Sequence, residues 1–338
     1  MIVASDRMKT QHADSSSDTR TLPIVDRFPE LARVPRMSLG DFPTPVIPAH
    51  SIAPMLWMKR DDLCANPVGG NKARALEFLL GGVRAGDALV TLGSEGSTHA
   101  LAVATYGKQL GARVFIGRWK QEMNSTAAIV SERIGQIADA APVFGNPVGA
   151  YAWAFSKRLR GGRWIAAGGS TPLGILGHVN AGLELVRQID AGLLPLPQFV
   201  VAPLGTGGTI AGIALAFSIA QRPITVVGAR VVPRIVARVS RVKRLADETA
   251  QLIERWSDRR VPRIRQSAVV VAHETYGGAY GRETDAGRAA AERMRFTMGV
   301  TLDATYSAKA LVRAIELAEK APTLFWLTFD SRVVTNGR

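Results

Sequence analysis

The 338-residue sequence predicts an α/β protein with mainly parallel sheets and helices on both sheet faces. Short apolar runs alternate with helical patterns from Ala88 onward, as in strand–helix–strand units. A glycine-rich turn at residues 205–208 joins one such run to a helical pattern, and the proline-containing segment 193–197 separates two blocks of units. The chain is long enough for one large domain or two medium domains.

Each predicted element follows from its local pattern. Apolar runs bounded by turn residues predict strands at Ala88–Leu92, Arg113–Ile116, Arg163–Ala167, Phe199–Pro203, Thr225–Val231, Ala268–Ala272 and Leu324–Thr328. Apolar residues at three- and four-residue spacing predict helices at Lys72–Arg84, Thr98–Leu110, Thr126–Ile134, Val148–Leu159, Ile175–Ile189, Thr209–Ile219, Val236–Trp256, Thr284–Thr297 and Ala308–Lys320.

Composition limits the possible environments of the chain. No apolar run is long enough to cross a bilayer, so we expect no membrane partner. The polar, Ser/Thr/Asp-rich start lacks the apolar centre of a secretory signal, and residues 1–25 are predicted to form a flexible tail. Cys64 is the only cysteine, which excludes an intrachain disulfide and predicts a reducing, cytoplasmic location. We expect its thiol to be a buried packing group.

The formal charge of +14 favours anionic partners or substrates. Much of the charge lies in an arginine-rich segment, residues 230–265, which also carries acidic residues and only one aromatic residue, Trp256. A solvated helix face or subunit contact is therefore favoured over a nucleic-acid footprint, and no nucleic-acid partner is predicted.

The tetrapeptide Gly69-Gly70-Asn71-Lys72 opens a predicted helix. The two glycines permit a tight turn and close approach of a ligand, and the helix dipole or a nearby cation lowers the pKa of an amine placed there. Lysines of this kind form Schiff bases with carbonyl substrates or with pyridoxal phosphate. The four residues alone are more simply explained by a lysine that points into water.

A second glycine-rich segment, Gly205-Thr206-Gly207-Gly208-Thr209, follows the apolar run 199–203 and precedes a helix. Backbone N–H groups at such a turn, together with the positive helix end, bind phosphate. No lysine follows the last glycine, so the segment is not a nucleotide P-loop. Its glycine spacing and its mid-chain position also differ from the dinucleotide fingerprint. The pattern favours a monophosphate ester, although a plain turn between strand and helix remains an alternative.

Taken in order, these motifs resemble the pyridoxal-phosphate enzymes of the tryptophan-synthase-β-like fold, called fold type II. The resemblance is to the branch that contains D-cysteine desulfhydrase and 1-aminocyclopropane-1-carboxylate deaminase. The order and spacing of the motifs are specific, whereas no single motif is. The matching segments are Phe42–Pro45, Lys59–Asp62, Gly69–Lys72, Ser97–His99, Gly168–Gly174, Gly205–Thr209, Tyr280–Gly281 and Asp303–Lys309.

The resemblance implies a two-domain architecture with pyridoxal 5'-phosphate in the cleft between the domains. It implies a large cofactor-binding domain from residues 26–74 and 187–338, a small domain from residues 75–186, and a homodimer. No metal is implied.

The resemblance also implies roles for individual residues. Lys72 would hold the cofactor as a Schiff base and act in catalysis with Ser97, Tyr280 and Tyr306. The substrate would contact Ser97, Thr98 and His99. The implied cofactor contacts are Lys72, Asn71, Thr98, Gly205, Thr206, Gly207, Gly208, Thr209, Ser307 and Thr328.

Four of these residues also have ordinary structural explanations. Ser97 precedes a helical run and suits a helix N-cap. His99 suits a packed or capping position, Tyr280 lies in a glycine-rich turn that it could simply cover, and Tyr306 suits a core tyrosine with one hydroxyl partner.

Three departures from the family pattern bear on the chemistry. Thr98 stands where the family usually has asparagine, and Phe329-Asp330 stand where it usually has two glycines. Ser307 occupies the position of a glutamate in the cyclopropane deaminases, and a neutral hydroxyl stabilises a ring carbanion less well.

The resemblance therefore implies α,β-elimination from a small amino acid to a keto acid and ammonia, as in D-cysteine desulfhydrase. Cyclopropane ring opening and β-replacement in a biosynthetic pathway are the alternative reactions. A basic interaction protein without turnover is a further alternative, against which Lys72 argues.

Overall fold

The structure, a computed structural model, describes residues 22–66 and 68–335. Its strands are β1 Val46–Pro48, β2 Leu56–Arg60, β3 Ala88–Ser94, β4 Arg113–Trp119, β5 Val143–Phe144, β6 Arg163–Trp164, β7 Phe199–Leu204, β8 Thr225–Arg230, β9 Val269–Ala272 and β10 Thr323–Leu327. Its α-helices are α1 Pro23–Arg27, α2 Asn71–Leu79, α3 Thr98–Gln109, α4 Ser125–Ile137, α5 Pro147–Leu159, α6 Pro172–Asp190, α7 Gly208–Ile219, α8 Val239–Ser257, α9 Asp285–Met298, α10 Ser307–Ala318 and α11 Arg332–Thr335.

The strands form two sheets. The larger sheet has the order β1-β2-β10-β7-β8-β9 and is parallel except for the β1–β2 pair. The smaller sheet, β5-β4-β3-β6, is parallel throughout. Parallel neighbours require crossover connections, which the intervening helices supply.

Alternating residues of the large sheet enter two different cores, as the two faces of a strand require. Val200 and Leu324 belong to a core with helices α6, α7 and α8. Val201 and Phe325 belong to a second core with α9 and α10. Strand β10 is central and all five of its residues are buried, which explains its continuous apolar run.

The small sheet is also covered on both faces. Leu89 and Val114 pack with α2, α3 and α4, whereas Val90 and Leu92 pack with Ala150 and Ala154 of α5. The prediction of an α/β protein with two mainly parallel sheets flanked by helices is confirmed. The domain boundaries at residues 26–74 plus 187–338 and 75–186 stay a prediction.

Some predicted elements need correction. The strand predicted at residues 163–167 ends at Trp164, because Ala167–Gly169 form a turn of 3₁₀-helix with Gly168 at φ 69°. Residues 1–21 of the predicted tail lie outside the described residues. The last part of the predicted tail is helical instead, because α1 begins at Pro23. Ile24 is buried in this helix, and its N–H donates to Asn180 Oδ1. Strands β1, β2 and β5 were not predicted.

The arginine-rich segment contains α8, which has one buried face that includes Val242, Leu245 and Ile253. Charged side chains on the remaining surface form ion pairs such as Lys243–Asp247 and Arg263–Glu254. Cys64 is buried, and burial raises the pKa of its thiol. Within residues 22–66 and 68–335, no helix is long and apolar enough to cross a membrane.

Candidate active site

A pocket lies where strands β7 and β10 end and helices α2, α3 and α7 begin. Ligands of open α/β sheets bind at such carboxyl ends. The pocket brings together residues that are far apart in sequence: Val68, Gly69, Asn71, Lys72, Thr98, Leu101, Pro203, Gly205–Ile210, Tyr306, Thr328, Phe329, Asp330 and Val333.

Lys72 is the second residue of α2 and lines this pocket. The helix starts here because Gly70 adopts φ 90°, and a Cβ at that position would lie 2.4 Å from the carbonyl oxygen of Thr328. Burial lowers the pKa of the Lys72 amine to about 8. An appreciable fraction of the amine is thus neutral near physiological pH, and a neutral amine is a nucleophile and a base.

The glycine loop forms a cradle at the start of α7. Gly207 has φ 100°, and a Cβ built on Gly205 would meet no atom of the described residues within 4 Å. The first N–H groups of a helix lack intrahelical partners and face an anion. These features fit a phosphate ester, so the residues present fit pyridoxal phosphate.

Two residues that the sequence reasoning missed support this loop. The Ser170 hydroxyl lies 2.6 Å from the Thr206 hydroxyl and accepts the N–H of Gly208 at 3.2 Å. Arg241, from the arginine-rich segment, donates Nε–H to the carbonyl oxygen of Thr206 at 3.0 Å. Arg241 shows no sequence signal beyond its charge, whereas Ser170 lies in the Gly168–Gly174 motif.

A polar chain connects Asn71 with the glycine loop and with α6. The Asn71 amide donates to Thr209 Oγ1 at 2.7 Å, and Thr209 Oγ1 lies 3.5 Å from His178 Nε2. Burial, followed by the charge of Lys72, lowers the pKa of His178 to about 3. His178 is therefore neutral at physiological pH. The sequence reasoning missed His178, which is a lone histidine within a helical pattern.

Tyr280 and Tyr306 form a pair whose hydroxyl groups are in direct contact. Their rings pack edge to face with centroids 6.0 Å apart. Burial raises the pKa of both phenols, so both keep their protons at neutral pH. Tyr306 lines the pocket, and Thr98 lies beside its hydroxyl.

Of the three residues at the start of α3, only Thr98 lines the pocket. Ser97 caps the helix by accepting the N–H of Ala100 at 3.3 Å. His99 Nε2 lies 3.3 Å from Thr91 Oγ1, and burial, with the Lys72 charge, lowers the pKa of His99 to about 3. The catalytic and substrate roles predicted for these residues stay predictions.

Ser307 and Thr328 differ in their placement. Ser307 is fully buried at the start of α10, where its N–H donates to Asp303 Oδ2 at 3.0 Å, and it does not line the pocket. Thr328, directly after β10, does line the pocket, and its carbonyl accepts the N–H of Asn71 at 3.1 Å.

A buried charge network lies behind the lysine-bearing helix. Arg74 donates to both carboxylate oxygens of Asp61 and to both of Glu184, at 2.7 to 3.0 Å. Lys59 also binds Glu184 and donates to Gln188 at 2.8 Å. Burial opposes ionisation, but these cations keep the pKa of Asp61 and Glu184 below their usual values. The sequence feature that could have indicated this network is the charged run Lys59–Asp62 beside an apolar stretch.

Comparison with known proteins gives a consistent result. The family described as pyridoxal-phosphate dependent enzyme matches residues 37–328. A putative 1-aminocyclopropane-1-carboxylate deaminase of Pyrococcus horikoshii is 30% identical over 312 residues, which cover 87% of this chain and 90% of the relative. Nocardicin C-9' epimerase of Nocardia uniformis subsp. tsuyamanensis is 33% identical over 318 residues, with 89% and 94% covered.

D-cysteine desulfhydrase of Klebsiella pneumoniae is 26% identical over 318 residues, which cover 87% of this chain and 94% of the relative. Among solved structures, an ACC deaminase homologue superimposes with a TM-score of 0.75 at 27% identity. That match covers 89% of this chain and 94% of the homologue.

Proposed function

This chain belongs to the family of pyridoxal-phosphate-dependent enzymes, and from that premise we propose that it is a lyase that removes the β-substituent of a small amino acid. With one water consumed, the products are the released β-substituent, a keto acid and ammonia. The observation that carries this proposal is Lys72, an amine with a pKa lowered to about 8 that faces a phosphate-type cradle. The desulfhydrase relative supports elimination as the reaction.

The residues that would hold the cofactor come from four segments. Residues 205–209 would bind its phosphate, Lys72 would bind its carbonyl carbon, and Asn71, Thr98 and Thr328 would contact the ring. When bound, pyridoxal phosphate supplies an electron sink for charge that develops at the substrate α-carbon.

Different side chains around the pocket would then move the α-proton, contact the leaving group and bind the substrate carboxylate. Lys72 would take the substrate α-proton as a neutral amine. Tyr306, which lines the pocket, stays protonated and donates a hydrogen bond to the departing β-substituent, while Tyr280 stays protonated and donates to the Tyr306 oxygen. Thr98, which lines the pocket at the positive end of α3, binds the substrate carboxylate, and Ser97 supports it by capping that helix end.

Ring opening of the cyclopropane amino acid is the second candidate. This substrate has no α-proton, so a protein group must act at a ring carbon instead. The tyrosine pair is the observation that favours this candidate, because Tyr306 lines the same pocket as Lys72. The deaminase relative also supports it.

The proposal is tested by incubating the enzyme with D- and L-cysteine, β-chloroalanine and 1-aminocyclopropane-1-carboxylate. Keto acid and ammonia are measured, and chiral chromatography of the remaining amino acid detects epimerisation. We expect fastest release from an amino acid with a β-leaving group. Faster ring opening, or epimerisation without ammonia release, would contradict the proposal.

A tyrosine variant tests the role of Tyr306 in elimination. Tyr306→Phe should slow elimination by about 10²- to 10⁴-fold, the usual contribution of a positioned proton donor. Tyr151→Phe, which alters an exposed tyrosine on α5, is the matched control and should leave the rate unchanged. An unaffected rate in Tyr306→Phe would remove this residue from the mechanism.

We also propose that the enzyme is a cytoplasmic homodimer, as the resemblance and the single cysteine imply. Sedimentation of the purified protein tests the dimer, and fractionation of the source cells tests the location. A monomer, or recovery outside the cytoplasmic fraction, would contradict the respective expectation.

A further inference from the structure

The segment that follows β10, residues 328–333, packs against the turn that precedes Lys72. The family resemblance predicts two glycines here, but the chain has Phe329 and Asp330. Asp330 is only 3% exposed, and its Oδ2 accepts the N–H of Gly69 at 2.8 Å. A buried carboxylate thus holds the backbone three residues before Lys72.

Arg332 extends this contact to the rest of the turn. Its Nε and terminal nitrogen donate to the two oxygens of Asp330 at 2.8 and 2.9 Å. The same terminal nitrogen donates to the carbonyl oxygens of Asp62 at 3.1 Å and Ala65 at 2.8 Å. One arginine therefore joins the carboxylate to two points of the turn.

Each of the three backbone N–H groups directly before Lys72 donates a hydrogen bond. Gly69 donates to Asp330, Gly70 donates to the carbonyl of Asp61 at 3.0 Å, and Asn71 donates to the carbonyl of Thr328 at 3.1 Å. Two of these three acceptors belong to the segment after β10. The start of α2 is thereby fixed to the end of the central strand.

The fit between these segments is close. A Cβ on Gly69 would lie 2.9 Å from Asp330 Oδ2 and 2.5 Å from the carbonyl oxygen of Asp62. Val333, beyond the ion pair, is 2% exposed and belongs to the same core as Cys64, Ala65 and Val68. The segment is therefore packed against the turn as well as hydrogen-bonded to it.

We propose that Asp330 and Arg332 form a latch that positions Lys72 for cofactor binding. The latch rests on the proposed function, in which Lys72 holds the cofactor. The two-glycine backbone at Gly69 and Gly70 has much conformational freedom, so it needs external contacts to present Lys72 in one place. Asp330 and Arg332 supply contacts that glycines cannot make. They are positioning residues, since they act through the backbone that carries Lys72.

The test compares holoenzyme variants by local amide hydrogen exchange and by the rate of pyridoxal phosphate release. Asp330→Ala removes the acceptor, and Asp330→Asn keeps an oxygen for the Gly69 N–H but loses the charge. Asp285→Ala removes an exposed ion pair with Arg288 and is the matched control.

We expect Asp330→Ala to increase exchange in peptides covering residues 62–71 and to release the cofactor at least tenfold faster. The amide exchange and the rate of cofactor release of Asp330→Asn should lie between those of Asp330→Ala and wild type. Both quantities should match wild type in Asp285→Ala. If Asp330→Ala does not fold, Asp330→Asn and Arg332→Lys provide the same comparison.

Wild-type exchange or wild-type cofactor release in folded Asp330 variants would overturn the latch. Lys72→Ala serves as the reference for the proposed function. If Lys72→Ala alters cofactor release while the Asp330 variants do not, the latch is wrong and the proposed function stands. If Lys72→Ala leaves release unchanged, the assignment of Lys72 itself is wrong.

Discussion

At the scale of single residues, burial prepares Lys72 for its proposed role. Desolvation is the cause of its lowered pKa, and no carboxylate contributes to the shift. A paired carboxylate would have raised the pKa and kept the amine charged. The pocket therefore presents an amine that can attack a carbonyl group without a separate base.

The first prediction concerns the pH dependence of cofactor capture. Only the neutral amine attacks a carbonyl, so the rate at which apoprotein captures pyridoxal phosphate should rise with pH and level off above about 8. Stopped-flow absorbance between pH 6 and 10 measures this rate. A rate that shows no levelling and still rises steeply at pH 10, as the usual lysine pKa of 10.5 would require, would contradict the account.

The second prediction concerns the glycine loop. Gly207→Asp places a carboxylate beside the proposed phosphate and forces a side chain into φ 100°, so cofactor affinity should fall by about 100-fold or more. Equilibrium titration measures the affinity. Gly161→Asp is the control, because Gly161 also has a positive φ but lies at an exposed turn. Equal losses of affinity in both variants would show that the effect is backbone strain.

At the scale of elements, helix α2 is held by charges as well as by apolar packing. Arg74 lies two residues after Lys72 and binds Asp61, after β2, and Glu184, on α6. Three elements thus converge on one guanidinium group. Removing one member of such a network leaves its partners buried and unpaired.

The third prediction follows from this network. Arg74→Met should lower the free energy of unfolding by about 3–5 kcal/mol, because Asp61 and Glu184 lose their main partner. Arg313→Met breaks only partly exposed ion pairs, with Glu316 and Glu274, and should cost less than about 1 kcal/mol. Denaturant unfolding measures both values. Similar losses in the two variants would contradict the role of the network.

The fourth prediction concerns α6 and its buried His178. The folded-state pKa of about 3 lies below the usual histidine value of 6.5, so the unfolded chain binds a proton that the folded chain excludes. His178 therefore stabilises the fold above pH 6.5, and this contribution declines by up to about 1.4 kcal/mol per pH unit toward pH 3.

His178→Gln should reduce the loss of stability between pH 6.5 and 5, as measured by denaturant unfolding at each pH. His50→Gln, at an exposed position, is the control and should keep the wild-type pH dependence. An unchanged slope in His178→Gln would show that this histidine titrates normally.

The elements that sequence alone could predict are those with local signals. Strand β10 is a continuous apolar run, and α7 follows a glycine turn, so both were found within about one residue. Strand β2 was missed because it contains Lys59 and Arg60, which contradict the pattern of a buried strand. Lys59 can be buried there because Glu184 and Gln188, far along the chain, bind it together with the carbonyl oxygen of Thr44.

At the scale of the whole molecule, the candidate site depends on contacts between distant segments. The motifs predicted that Lys72, the glycine loop and Tyr306 would share a site, and all of them line one pocket. The motifs did not predict the Asp330–Arg332 contacts or the His178–Thr209 contact, because neither pair has a local pattern. Ser307 and Thr328 were both expected near the cofactor, and of the two only Thr328 lines the pocket.

The central claim is that Lys72 carries the cofactor, and chemical trapping tests it most directly. Borohydride reduction of the yellow holoenzyme, followed by peptide mass spectrometry, should place a pyridoxyl group on Lys72. Lys72→Ala should lose the visible absorption band and the modified peptide. Lys309 provides a competing site, since burial also lowers the pKa of its amine to about 8. A pyridoxyl group on Lys309, or an adduct that persists in Lys72→Ala, would contradict the account.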